Sequence, residues 1–410
     1  MKRYDSYKDS GIDWIGEIPT HWTYTKLKYK LSDMVTGGTP NTYNDSYWVD
    51  KDNGVNWISI SDITSNGREI TETKKFISNE GLQSKKLQVL PVGSLIYSKN
   101  GSIGKVSRLR IPSTIHQGIL GLKTNSTYSS SFLEYYLIYF KEYVSLFSSS
   151  NTQENLNQEK VSNFEIPVPP ISEQKEIVSF LDTKTSIIDS LIEKTLQKIK
   201  LLKEKKLKLI EEVILNQNIE RVKLENVVNI VKRPINRNNN KYYNKIGMYN
   251  WGRGIFKYPD ELGSELGDSK FNFIKKGDLL LSGQFSWEGS VSIVEKEFND
   301  CISSHRFHLL IGKENILLNE YLWSYFTSQE GHFLLTENSF GSSGRNQPLN
   351  ITRLLKEKIP VPELSFQLKI KDLVQYTREF EKYSKKKIIL LKEYRQSLIS
   401  ELVTGKQKVV

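Results

Sequence analysis

The chain repeats itself, and this duplication constrains its fold more than any other feature. IPVPPISEQ at 166–174 is matched by IPVPELSFQ at 359–367, an offset of 193 residues (359 − 166) in a chain of 410. Further matched pairs occur in the same order in both halves: PVGSLIYS and KKGDLLLS (91–98 and 275–282), His116 and His305, FLEYYLIYF and LNEYLWSYF (132–140 and 318–326), and IKLLKEK and IILLKEY (199–205 and 388–394). A series of matches in one order predicts two copies of one structural unit.

Each copy begins with a mixed domain, residues 1–165 in the first copy and 219–358 in the second. Short apolar runs such as GSLIYS and GDLLLS are bounded by Gly, Asn and Ser, as strands are. A helix is predicted after the strands, at 131–147 and at 319–335. The pattern therefore predicts the α+β class for both domains, each of roughly 150 residues.

Each mixed domain is followed by a long helix, in segments 166–218 and 359–410. The prolines of IPVPP keep the chain extended, and Ser172 and Ser365 are the predicted N-caps. Apolar residues recur at alternating spacings of three and four, the coiled-coil pattern. The predicted seam consists of Ile188, Ile192, Ile199, Leu202 and Leu209 in the first helix, with Leu391 and Leu398 in the second. We predict an antiparallel coiled coil; the alternative is that each helix packs on its own domain.

Composition limits the partners and the compartment. The net charge is +11, which favours polyanionic partners such as DNA. Cys301 is the one cysteine, so no intrachain disulfide can form, as is usual in a reducing compartment. The N-terminal residues contain no apolar signal core, and no run of 18 apolar residues occurs. These features predict a cytoplasmic protein without a membrane segment.

The sequence contains no pattern typical of a catalytic centre. There is no G-x-x-x-x-G-K-[ST] phosphate loop, and the five histidines and one cysteine form no zinc spacing. Asp260, Glu261 and Glu265 are a weak match to a metal nuclease, but they lie in a segment predicted to be a solvated loop. We therefore expect no cofactor, no metal and no enzymatic activity of the chain itself.

Three features together resemble the specificity subunit of type I restriction-modification enzymes. They are the phrase YKDSGIDWIGEIPTHW at 7–22, the junction IPVPP-x-SEQ-x-x-I at 166–177, and the Leu156-Asn157 pair before it. The duplicated layout extends this resemblance over the whole chain. The second junction departs from the pattern, because Glu363 and Phe366 replace Pro170 and Glu173. The second helix also lacks four residues, since the offset falls from 193 to 189 (388 − 199).

The resemblance implies a division of labour. Each mixed domain would be a target recognition domain that reads one half of a bipartite, asymmetric site in double-stranded DNA. The paired helices would set the distance between the half-sites. Two modification subunits would carry methyl transfer, and restriction subunits would carry the motor and the nuclease. The alternatives are a specificity module of another restriction or phase-variable methylation system, and a helical scaffold without DNA binding.

Polar residues in loops between strands are the candidate DNA contacts, because Arg, Gln and Asn pair with base edges and Lys meets phosphate. In the first domain they are Thr39, Asn41, Lys99, Asn100, Ser102, Lys105, Gln117 and Gln153. In the second domain they are Arg233, Arg237, Arg253, Gln284, Trp287, Arg306, Arg345 and Asn346.

Overall fold

The computed structural model of this protein describes residues 2–12, 14–147, 156–341 and 347–409. The chain forms two compact units, Met1–Ile192 with Ile388–Val410, and Glu193–Lys387. Each unit contains one mixed segment and one stretch of each long helix. The unit boundaries fall inside the long helices, so the division into four segments stays a prediction.

The first unit combines short strands with four short helices and two stretches of long helix. Its strands are β1 (Tyr7–Asp9), β2 (Glu17–Pro19), β3 (Thr23–Lys26), β4 (Leu31–Thr36), β5 (Trp48–Val49), β6 (Val55–Ile58), β7 (Glu69–Ile70), β8 (Phe76–Ile77), β9 (Leu95–Ser98), β10 (Val106–Leu109), β11 (Ser113–Ile115), β12 (Ile119–Thr124) and β13 (Glu165–Val168). Its helices are α1 (Ile60–Asn66), α2 (Asn79–Ser84), α3 (Ser130–Phe140), α4 (Gln158–Ser162) and the first part of α5 (Ile171–Leu215).

The second unit has a related set of elements. Its strands are β14 (Arg221–Lys223), β15 (Val228–Val231), β16 (Tyr242–Tyr243), β17 (Ile246–Met248), β18 (Ile255–Lys257), β19 (Glu261–Leu262), β20 (Phe271–Phe273), β21 (Leu279–Ser282), β22 (Val291–Ile293), β23 (Ile302–Ser304), β24 (Phe307–Gly312) and β25 (Lys358–Pro360). Its helices are α6 (Leu224–Val227), α7 (Asn319–Phe326), α8 (Gln329–Glu337), α9 (Ile351–Leu354) and α10 (Leu364–Val403), whose last part belongs to the first unit.

The main sheets of the two units have the same strand order. The first unit orders its strands β4-β12-β9-β10-β7, and the second orders them β15-β24-β21-β22. The register agrees as well, because Ile119 pairs with Ser98 and Phe307 pairs with Ser282. The central strands are LIYS and LLLS, and all four residues of each are buried. Burial on both faces of the sheet explains why these strands are apolar runs rather than alternating ones.

The two long helices run antiparallel where they meet within a unit. In the second unit, Lys203 forms an ion pair with Glu381 at 2.5 Å. Further along α5, Ile210 lies in one core cluster with Ile370, which precedes Glu381 in α10. The order along α10 is therefore reversed relative to α5. In the first unit, Arg395 Nη1 lies 2.6 Å from Asp189 Oδ1.

The predicted seam residues point inward to different degrees. Ile188 and Leu398 are buried in the core cluster of the first unit, and Ile192 and Leu391 pack partly buried against it. Leu209 packs in the same way against the core of the second unit. The remaining members, Ile199 and Leu202, are half-buried. The predicted fold class, with two α+β domains and antiparallel long helices, is confirmed. The helices begin at Ile171 and Leu364, so Ser172 and Ser365 lie in the first turn and are not the predicted N-caps.

A buried glutamine ties the start of α5 to the mixed segment of the first unit. Gln174 is fully buried, and its side-chain oxygen accepts a hydrogen bond from the backbone N–H of Ser129 at 2.7 Å. Its Nε2 donates to the carbonyl of Pro169 at 2.9 Å. Ser129 precedes α3, so Gln174 joins the beginnings of two helices.

Gln367 does the same in the second unit. Its side-chain oxygen accepts from the N–H of Leu318, which precedes α7, at 2.8 Å. Its Nε2 donates to Pro362 at 2.8 Å and to Ile316 at 2.9 Å. Gln174 and Gln367 occupy equivalent positions in the repeated junction. The duplication therefore preserves a contact as well as a sequence.

Trp323 of the second unit contacts two cations. Lys206 Nζ is 4.2 Å from the centroid of its ring and donates a hydrogen bond to Thr327 Oγ1 at 2.9 Å. The guanidinium carbon of Arg378 is 4.5 Å from the same centroid. Burial lowers the pKa of Lys206 to about 8, helped by the nearby charges of Arg378 and Lys203. The indole and the hydroxyl offset part of this cost, because both favour the ammonium form.

Lys206 is expected to contribute stability to the second unit that rises with pH between about pH 8 and pH 10. In the unfolded chain a lysine has a pKa of about 10.4, so in this range the unfolded state binds more protons than the folded state. One whole proton gives a slope of at most about 1.4 kcal/mol per pH unit. Thermal denaturation at several pH values measures it, with Lys206→Met as the control that should lack this rise. Equal slopes for the two proteins would contradict the assignment to Lys206.

Candidate nucleic-acid interface

Two loops of the first unit join at the ends of β9 and β12. The backbone N–H groups of Lys99 and Asn100 donate to the carbonyl of Gly118, at 2.9 and 3.3 Å. A third segment joins them, because the N–H of Leu156 donates to the carbonyl of Lys99 at 3.1 Å. We call this arrangement the loop junction. It brings together sequence-predicted residues from the 99–105 loop and the 116–118 turn.

The 37–44 loop packs against the same edge. The N–H of Gly38 donates to the carbonyl of Ile115 at 2.9 Å. A Cβ at Gly37 would lie 2.2 Å from that carbonyl oxygen, so a side chain is excluded there. Two tryptophans hold the loop in place. The indole N–H of Trp57 donates to the carbonyl of Gly38 at 2.9 Å, and that of Trp48 donates to the carbonyl of Asn41 at 3.2 Å.

His116 supports the junction as a neutral residue. Its ring lies 5.5 Å from that of Trp57, and its Nδ1 accepts the N–H of Gly118 at 2.9 Å. Burial lowers the pKa of His116, and the charges of Lys75 and Lys99 lower it further. A neutral imidazole is the form that can accept this bond. His116 therefore orients the turn, while the adjacent Gln117 is exposed.

The predicted contacts of the first unit divide by exposure. Asn41, Ser102 and Gln117 are exposed, whereas Thr39, Lys99, Asn100 and Lys105 are half-buried. The hydroxyl of Thr39 is buried and has no hydrogen-bond partner among the described residues. Gln153 lies outside the described residues. The list for this domain stays a prediction, centred on one edge of the unit.

The second unit has the same loop junction. The N–H of Gly283 donates to the carbonyl of Arg306 at 2.6 Å, and the N–H of Leu349 donates to the carbonyl of Gly283 at 2.8 Å. A Cβ at Gly283 would lie 2.4 Å from the Arg306 oxygen, which requires glycine. Gln284 follows directly, and its side-chain oxygen accepts from Arg306 Nη1 at 3.3 Å.

The side chain of Arg233 forms an ion pair within its own unit. Its two terminal nitrogens bind both carboxylate oxygens of Asp278, at 2.6 and 3.0 Å. Asp278 is 2% exposed, so the pair is largely removed from water. A bidentate pair of this kind uses one N–H of each terminal nitrogen and fixes the orientation of the guanidinium. Arg233 is therefore held by an ion pair within its unit, and its role as a DNA contact stays a prediction.

The other candidates of the second unit differ in availability. Arg237 is exposed and donates to the carbonyl of Ser269 at 3.0 Å. Arg253 is exposed and packs its guanidinium 5.5 Å from the ring of Tyr249. Trp287 is half-buried, and its indole nitrogen is buried without a partner among the described residues. The remaining two, Arg345 and Asn346, lie outside the described residues.

Two exposed aromatic residues were missed by the sequence reasoning. Tyr43 is 95% exposed in the 37–44 loop. Trp251 is 68% exposed at the tip of the β17–β18 hairpin, with a backbone φ of +60° and its ring stacked at 5.0 Å on His332. A left-handed conformation is costly for a bulky residue, and such strain concentrates at functional positions. The signal was present in the sequence as a Trp followed by glycine in a turn.

Within the part of the chain that the structure describes, no group of three or more His, Cys, Asp or Glu is arranged to hold a metal ion. No described helix is both long enough and apolar enough to cross a membrane.

The family is settled by a match to both copies. The family model of the type I restriction modification DNA specificity domain matches residues 25–201 and again 216–392. The chain belongs to the type I restriction-modification specificity family. DNA sequence recognition is the function of this domain, and the two matches coincide with the duplication.

One relative of this family matches almost the whole chain, and another matches about half of it. The MjaIX specificity subunit of Methanocaldococcus jannaschii is 25% identical over 430 residues, covering 96% of this chain and 95% of that protein. The EcoR124I/EcoR124II specificity subunit of Escherichia coli is 24% identical over 201 residues, or 47% of each chain.

Solved structures share the fold. A chain from a structure on assembly and conformational transition of the type I R-M system has a TM-score of 0.63 at 16% identity, covering 95% of this chain and 99% of that one. The S subunit from M. genitalium has a TM-score of 0.52 at 14% identity, covering 93% and 96%.

Proposed function

We propose that this chain is the non-catalytic recognition subunit of a type I restriction-modification complex and reads a bipartite, asymmetric DNA site. Each unit binds one half-site, and the long helices set the number of unread base pairs between them. Two modification subunits and the restriction subunits supply methyl transfer, translocation and cleavage. The net charge of +11 supports a role on DNA.

One observation carries this proposal: the units share a sheet order and a loop junction but differ in the side chains that the junction presents. The first unit presents Asn100 and Gln117, and the second presents Gln284 and Arg306. Base identity is read by side chains that contact the base edges in the DNA grooves. One scaffold with different side chains can therefore read two different short sequences. Joining both readers in one chain raises the effective concentration of the second reader once the first is bound.

Co-expression with a modification subunit tests the proposal. We expect genome-wide mapping of methylated adenine to give one motif with two unlike halves and a gap of fixed length. The modification subunit alone is the control and should give no such motif. A continuous motif, or methylation that does not depend on this chain, would contradict the proposal.

A further inference from the structure

The loop junction makes positions in the two units directly comparable. Lys99 and Gly283 each accept a bond from a leucine N–H, Leu156 or Leu349, and each donates to the residue that precedes the neighbouring strand. That residue is Gly118 in the first unit and Arg306 in the second, because β12 begins at Ile119 and β24 at Phe307.

The turn that leads to this position differs in length and chemistry. Three residues, 116–118, connect β11 to β12, whereas two, 305–306, connect β23 to β24. The first unit places a buried glycine before its strand, and the second places an exposed arginine. An arginine is therefore present at this position of the second junction, where the first junction has a glycine.

The guanidinium of Arg306 forms a hydrogen bond but no ion pair with a described residue. Gln284 takes one hydrogen bond from Nη1 at 3.3 Å. Among the described residues, no carboxylate pairs with Arg306, and its other N–H groups have no hydrogen-bond partner. Arg233 of the same unit shows the opposite state, with both ends of its fork on Asp278. Among the described residues of the junction, Arg306 is the arginine whose guanidinium has no carboxylate partner.

We propose that Arg306, oriented by Gln284, reads a guanine in the half-site bound by the second unit. An arginine fork matches the O6 and N7 acceptors of guanine in the major groove, and this is the commonest specific contact to a base. Gly118 cannot make this contact, so the first half-site is read differently at the equivalent place. The inference rests on the proposed function and adds the residue and the base.

Mapping of methylated sites with substituted chains tests the inference. The complex of the full chain with its modification subunit is compared for wild type, Arg306→Gln and Arg306→Lys. We expect preference for one G·C pair, in one half-site only, to fall about 10- to 100-fold in both variants. Arg306→Lys should not rescue it, because lysine keeps the charge but lacks the fork. Lys313→Gln, at the opposite end of β24, is the control and should leave the motif unchanged.

The outcomes separate the two proposals. A wild-type complex without a bipartite motif overturns the proposed function. A wild-type motif that both Arg306 variants retain overturns the guanine assignment alone. Uniform weakening over all positions, rescued by Arg306→Lys, identifies a phosphate contact and also overturns it. If Arg306→Gln gives no folded protein, the Arg306→Lys motif decides the matter.

Discussion

Replacement of Glu134 by alanine is expected to lower the free energy of unfolding of the first unit by about 3–5 kcal/mol. Glu134 is 1% exposed on α3, and its carboxylate lies between two arginines. Arg68 binds one oxygen through Nε. Arg108 binds the other through Nη2 at 2.7 Å and Nε at 3.0 Å. Removing the anion leaves two guanidinium groups facing each other with no charge between them, which is the costly way to break a buried pair.

A matched pair provides the control for this prediction. Glu69 and Arg110 also form an ion pair in the first unit, but their side chains are 48% and 46% exposed. Exposed pairs contribute at most about 1 kcal/mol, so Glu69→Ala should change stability little. Urea denaturation followed by tryptophan fluorescence gives both values. Equal costs for the two substitutions would mean that the Glu134 network is not a significant source of stability.

Replacement of Gln367 by methionine is expected to cost about 2–4 kcal/mol in the second unit. Methionine fills a similar volume, but it leaves the N–H of Leu318 and the carbonyls of Ile316 and Pro362 without their partner. Each buried group that loses its hydrogen bond costs about 1–3 kcal/mol, and some of these will find water. Gln174→Met should have a smaller effect in the first unit, because it removes two bonds rather than three.

The same substitution at an exposed glutamine of α10 isolates the effect of the hydrogen bonds that Gln367 makes. Gln375 is exposed and donates only to Glu379, four residues along the helix, at 3.1 Å. Gln375→Met should shift stability by less than about 0.5 kcal/mol. Calorimetry of the three variants checks the order. A cost at Gln367 no greater than that at Gln375 would show that the buried bonds are replaced elsewhere.

The duplication predicted the architecture because apolar runs that recur in the same order form equivalent strands and helices in the same order. PVGSLIYS and KKGDLLLS became β9 and β21, with identical registers against the next strand. The match of 132–140 with 318–326 was wrong by one helical turn. It pairs Glu134 with Glu320, but the capping bonds place Ser129 opposite Leu318 and therefore Glu134 opposite Trp323. Similar helix composition hid a change in the length of the preceding segment.

The candidate contacts were harder to predict because availability depends on distant partners. Asp278 lies 45 residues from Arg233 in the sequence, and the residues next to either one do not indicate that the two form a pair. The same holds for Gln174 and Gln367, which read as ordinary polar residues of a helix but are fully buried. Loop position could be predicted from strand ends and glycines. Which side chains are free there is a property of tertiary packing.

The repeated glutamine also determines how the chain could be rebuilt. In each copy, a glutamine at the start of a long helix binds the N–H of the residue that precedes a helix of the mixed segment. It also binds the carbonyl of a proline in the junction before the long helix. A segment transplanted to the other position would meet a glutamine that can make the same two hydrogen bonds. Under the proposed function, exchange of a whole mixed segment would change one half-site while the long helices stay in place.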